Sequence, residues 1–108
     1  MPEPLTPAVF NILLALTDEP LHGYAIMQAA AAQSAGECRL GPGTLYAAIP
    51  KLIEAGWIRE SRKRPPEDDD PRRRYYELTR SGMAALEAEV ERMGQLVRLA
   101  KQKIRTSH

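Results

Sequence analysis

The chain has 108 residues, of which 44% are hydrophobic and 27% charged, and its formal net charge is +1. That length holds one small domain with a modest core, and the composition excludes a disordered segment. A charge so near zero excludes a chain that is basic throughout, so any contact with nucleic acid has to come from where the cations cluster.

Thr6-Pro7 reads as a helix start, with Thr6 capping and Pro7 at the first helical position. Leu5, Val9, Ile12, Leu13 and Leu16 recur at helical spacing, and Asp18-Glu19-Pro20 is the exit. A second helix begins around Leu21-His22-Gly23-Tyr24, runs through Ile26, Met27 and the alanines Ala29 to Ala32, and closes at Gly36. Its alanines make it slim, so its neighbours can pack close. The third helix spans the stretch from Gly41 to Gly56. Leu45, Ile49, Leu52 and Ile53 share its buried face, while Thr44, Ala47, Pro50, Lys51 and Glu54 fall on the other. Pro50 lacks an amide donor and crowds the carbonyl of Tyr46, which predicts a kink or an irregular first turn. This segment reads either as an ordinary surface helix or as one that lays its flat front into a groove.

After Gly56 the pattern changes. Trp57 to Arg64 mixes β-formers with charge and reads as a strand that opens on a core tryptophan. Pro65-Pro66-Glu67-Asp68-Asp69-Asp70-Pro71 is a loop, because three prolines flank four acids. Arg72 to Leu78 is the returning strand, and Thr79 caps the last helix. In that helix Met83, Leu86, Val90, Met93, Val97, Ala100 and Ile104 alternate steps of three and four. Such a heptad seam is expected to pair with a second copy of the chain, or to pack back on the first helix. Gly94 weakens the helix that carries it.

The expected fold is mostly α, in the α+β class, with the order α-α-α-β-β-α. Helix, turn, helix and β-ribbon in that sequence make a winged helix-turn-helix, over residues 1–79, with a C-terminal dimerisation helix over 80–108. The single cysteine, Cys38, forms no internal disulfide, and no apolar run approaches the roughly 18 residues of a spanning helix. Met1-Pro2-Glu3-Pro4 lacks the basic region of a secretion signal, so a reduced, cytoplasmic protein without membrane contact is expected. No metal-ligand spacing, phosphate-cradling glycine loop or converging nucleophile and base occurs, so no metal, no cofactor and no enzyme activity is expected.

Four pieces, in order, resemble the PadR family of transcriptional regulators. They are Leu21-His22-Gly23-Tyr24-Ala25-Ile26, Gly43-Thr44-Leu45-Tyr46, Leu52-Ile53-Glu54-Ala55-Gly56-Trp57-Ile58, and Arg73-Arg74-Tyr75-Tyr76-Glu77-Leu78-Thr79-Arg80-Ser81-Gly82. The resemblance covers about residues 5–90. It implies a winged-helix domain that binds double-stranded DNA, a homodimer formed through the C-terminal helix, and usually repression. The chain departs from the family pattern in having Ala47 where a proline usually follows the tyrosine, in Pro50, and in the acidic wing tip.

The DNA-binding residues expected from chemistry and position are Thr44, Tyr46, Ala47 and Lys51 on the third helix, and Arg62, Lys63, Arg64, Arg72, Arg73 and Arg74 on the wing. Thr44 and Tyr46 offer hydroxyls near a helix start, Ala47 permits close approach, and Lys51 suits a guanine edge or a phosphate. Strand alternation would point about half of the wing cations at DNA. The acids at the tip either stand in solvent or pair with the arginines, and they lower non-specific affinity. The plainer alternatives are a solvated charged hairpin and a Tyr46 that only packs between helices. Drug-responsive members of the family, as the resemblance implies, stack flat aromatic compounds on a tryptophan of the last helix, which this chain lacks. Phe10, Met93 and Val97 are the residues placed to line an apolar pocket for a small effector between two copies. The competing function is a winged-helix protein-interaction module that has lost DNA binding.

Overall fold

The computed structural model describes residues 4–68 and 70–107. Met1 to Glu3, on which the absence of a leader was read, lie outside the described residues, as do the wing-tip acid Asp69 and His108. The elements are α1 (Pro7–Ala15), β1 (Leu21–His22), α2 (Gly23–Gln33), α3 (Pro42–Glu54), β2 (Ile58–Ser61), β3 (Tyr75–Leu78) and α4 (Arg80–Thr106). The four helices and the hairpin stand in the expected order, and one strand is added. β1 has two residues, too few to show a sequence period. It pairs antiparallel with β3, Leu21 opposite Tyr76 and His22 opposite Tyr75, so the sheet order is β1-β3-β2.

Local chemistry sets the helix ends. Thr6 Oγ1 accepts the Val9 amide at 3.2 Å, His22 Nδ1 accepts that of Ala25 at 3.2 Å, and Thr79 Oγ1 accepts that of Gly82 at 3.0 Å. α3 starts from Gly41 without a side-chain cap, with Pro42 in its first turn. It runs unbroken through Pro50. At its far end Gly56 takes φ +82°, and the Trp57 amide donates back to Leu52 O at 3.0 Å, the paired-bond stop that glycine favours. α2 ends in the same way, with Gly36 N–H on Ala31 O at 2.7 Å, but there Ala35 also sits at φ 53°.

Ile12 and Leu13 of α1, with Leu16 at its C-cap, meet Ile26 and Ala30 of α2, Leu45, Ile49 and Leu52 of α3, and Ile58, Tyr76 and Leu86 in one core. Ile53, expected on the buried face of α3, is 42% exposed. It lies at the margin of a stripe that Leu45, Ile49 and Leu52 already fill. Trp57 is half-buried against the core rather than within it.

Both wing strands are shorter than expected. β2 stops at Ser61, whose Oγ accepts the Lys63 amide at 3.0 Å and turns the chain out of the ladder. Arg62, Lys63, Arg64, Arg72, Arg73 and Arg74 therefore lie in the loop beyond the strands, not on alternating strand positions.

The seam of α4 divides in two. Leu86 is buried in the core of its own chain, and Met83 and Met93 are half-buried. Val90, Val97 and Ile104 are 50%, 50% and 59% exposed, and Ala100 is exposed. The first turns of α4 thus complete the domain, and the rest projects from it, giving the molecule a long axis of 58 Å. Glu89 anchors the junction: its buried carboxylate accepts the Leu5 amide at 3.1 Å and takes two bonds from Arg92, at 2.7 and 2.8 Å. The Arg92 guanidinium holds that carboxyl below its ordinary range.

Candidate nucleic-acid interface

The front of α3 presents what its sequence promised. Thr44, Ala47, Pro50 and Lys51 are all exposed, and no large apolar side chain interrupts them. Tyr46 is 53% exposed, yet its hydroxyl end lies over Gly23, where a Cβ would collide with it. Glycine at the start of α2 and tyrosine in the first turns of α3 are therefore one packing unit, with an aromatic face left over for solvent.

Beside this unit runs a cleft of about 250 Å³, lined by Tyr24, Tyr46 and Tyr76 together with Arg72, Arg73 and Arg74. The start of α2 borders it through His22, Gly23 and Tyr24, so a helix start, three tyrosines and three arginines line one concave surface. Tyr24, 62% exposed, was not singled out from the sequence. An aromatic side chain in the first turn of a helix, directly after the glycine that opens it, was the available signal.

The wing is held by its own charges. Arg59 pairs with Glu77 across the strands at 2.6 Å. Arg74 lies 3.7 Å from Glu60, Arg73 3.4 Å from Asp68, and Arg72 3.4 Å from Asp70. Arg64 donates to the carbonyls of Asp70 and Arg73, at 2.7 and 2.5 Å, and its guanidinium stands 5.3 Å from the centre of the Tyr75 ring. Asp68 accepts the Tyr75 hydroxyl and the Asp70 amide, the latter at 3.1 Å, and these bonds hold its carboxyl below the ordinary range. On the other side of Tyr75, His22 meets the ring edge-on at 5.3 Å. Burial, then the charge of Arg73, lowers the His22 pKa, and the neutral ring keeps the lone pair that caps α2.

The structure thus brings Tyr46, Arg72, Arg73 and Arg74 together around one cleft, with Thr44, Ala47 and Lys51 on the adjoining helix front. Among the described residues Lys51, Arg62 and Lys63 have no ion-pair partner. Phe10 packs against the core of its own chain, Met93 is half-buried and Val97 is exposed; no described cavity is lined by the three together. Among the described residues no group of side chains is arranged to hold a metal, and no helix is long and apolar enough to cross a membrane.

A helix-turn-helix closed by a three-stranded sheet, with an exposed third helix beside a basic wing, defines a winged-helix protein. The family described as "Transcriptional regulator PadR-like family" matches residues 12–88, and the chain belongs to it. It is 42% identical over 85 residues to an uncharacterized 37.1 kDa protein in transposon TN4556 of Streptomyces fradiae; the match covers 79% of this chain and only 22% of that protein's length. Among solved structures, the fold is similar to a PadR family transcription regulator from Clostridium difficile R20291 (TM-score 0.73, 23% identity, 92% of this chain and 99% of that one). It is also similar to Bacillus subtilis PadR in complex with operator DNA (TM-score 0.66, 22% identity), over 82% of this chain and 48% of that one.

Proposed function

We propose that this chain is a sequence-specific DNA-binding regulator, acting in the cytoplasm as a homodimeric repressor on a palindromic operator. The observation that carries the reading is the shared face of α3 and the wing, where Thr44, Ala47 and Lys51 stand exposed beside Tyr24, Tyr46 and Arg72 to Arg74. Lys51 and the arginines supply cations for phosphates, and the small residues of α3 let the helix into a major groove. With so few long polar groups on that helix, part of the selection falls to DNA shape. The likeness to the fold of Bacillus subtilis PadR, solved with operator DNA, supports the same reading. In this scheme residues 1–79 are the reading unit and 80–108 the pairing helix.

The partner is a second copy, joined through Val90, Met93, Val97, Ala100 and Ile104, whose exposed members would otherwise leave an apolar stripe in water. Leu86 drops out of this set, since its own core covers it. An apolar or aromatic effector between the copies, near Phe10, Met93 and Val97, would release the operator.

The second reading, an interaction module without DNA affinity, draws on the acids that already occupy the wing arginines. Titration against DNA from the chain's own promoter and a scrambled duplex, at two salt concentrations, separates the two. The regulator reading expects selective affinity that falls with salt at a slope of about −0.9 per phosphate neutralised, and weaker operator binding by Lys51→Ala at unchanged dimer stability. Absence of binding to every duplex tried, at low salt, favours the interaction module.

A further inference from the structure

Each of the three arginines that follow the wing tip lies against a carboxylate of the same hairpin, and one of those carboxylates, that of Asp68, is fixed in place. Glu60 sits in β2 opposite Tyr76. Asp68 is only 7% exposed at its side chain and is held by the Tyr75 hydroxyl and the Asp70 amide. Asp68 is therefore no loose surface acid, whereas the exposed Glu60 side chain is set beside Arg74 only by its place in β2. Their pairs with Arg74 and Arg73, at 3.7 and 3.4 Å, are longer than the roughly 2.7–2.9 Å of a good charge-assisted hydrogen bond. A phosphate brought to contact distance can therefore take the arginine away, whereas a phosphate one water layer off cannot.

We propose that Glu60 and Asp68 are selectivity-determining residues, internal counterions that cancel the wing in loose, sequence-independent complexes and yield only when the reading helix is seated. The inference rests on the DNA-binding reading above. Non-specific complexes are held almost wholly by phosphate contacts through mobile cations. In such complexes Arg73 and Arg74 stay with their carboxylates, and the net charge of the wing edge is near zero. Seating α3 in the groove of a matching site presses the hairpin against the backbone. There Arg74, in the loop just before β3 and lining the cleft with Tyr46 and Tyr76, meets phosphate directly and trades one anion for another. The penalty thus falls on misplaced complexes more than on the correct one, a repulsive element used for specificity.

The test is a salt titration of full-length wild type, Glu60→Gln and Asp68→Asn on a random duplex and on DNA from the chain's own promoter. Each substitution is expected to steepen the salt slope on the random duplex by about 0.9 and to lower the ratio of promoter to random affinity. Glu60 is exposed, and Arg74 is its ion-pair partner, so Glu60→Gln keeps the fold and decides the matter if Asp68→Asn loosens the wing. Wild-type binding with an unchanged slope on the random duplex in Glu60→Gln overturns the proposal and leaves the regulator reading standing. No binding of wild type to any duplex overturns both. If the promoter carries no operator, the slopes on the random duplex alone give the answer.

Discussion

His22 performs three tasks with one ring. It pairs opposite Tyr75 in the sheet, packs edge-on against that side chain, and caps α2 through Nδ1. Only the neutral imidazole can accept the Ala25 amide, and burial favours that form. Because the folded state holds the proton less tightly than the unfolded chain, stability is complete above the ordinary histidine pKa of 6.5 and declines as pH falls through it. Urea unfolding of wild type between pH 7.5 and 5.5 is expected to show that loss, which His22→Ala abolishes while costing about 1 kcal/mol at the higher pH for the missing cap. A pH response retained in His22→Ala would assign it to another group. Asp68 and Glu89 act at lower pH, since depressed carboxyl values withdraw their stabilisation only as pH falls through the acid range.

At the scale of elements, the tightest joint is between the start of α4 and the turn that follows α3. The Thr79 amide donates to Trp57 O at 3.0 Å and the Thr79 hydroxyl donates to Gly56 O. At Gly82 a Cβ would overlap the Trp57 carbonyl and the Leu78 side chain. Gly82→Ala is therefore expected to destabilise by about 2 kcal/mol or more, because backbone has to move, whereas Gly94→Ala, whose Cβ meets only the tip of Arg98, is expected to stabilise. Thermal melts of the two variants check the contrast, and equal shifts would remove the joint from the account.

The same elements explain what the sequence could tell. Periodicity located α1, α3 and α4, because each carries an apolar stripe at helical spacing, and Thr6, Gly56 and Thr79 marked ends through their own chemistry. β1 was invisible because two residues hold no period, and it exists through pairing with a strand more than fifty positions away. The wing cations were legible as a cluster but not as a geometry, since Ser61 ends β2 by a local side-chain bond that no pattern announces. Leu86 and Val97 both lie on the heptad seam and differ in whether the domain reaches them.

For the whole molecule the defining feature is a helix of 27 residues, about 40 Å long, only part of which rests on the domain. Its free portion exposes Val90, Leu96, Val97, Leu99 and Ile104, each between 46% and 59%. For the dimer and operator complex proposed above, Val97→Glu is expected to give a monomer, seen as a halved mass by light scattering, and to weaken operator binding at least tenfold by uncoupling two half-sites. A dimer that survives Val97→Glu would place the interface elsewhere. Melting temperature should rise with protein concentration in wild type and lose that dependence in the variant.

The bonds from Thr79 to Gly56 and Trp57 have a mechanical meaning. They fasten the root of the long helix to the corner where the reading helix ends and the wing begins. The helix is then a crank whose axle lies at that corner. In the proposed dimer, a small rotation of its free end would be delivered as a change in the angle and separation at which two reading heads meet the duplex.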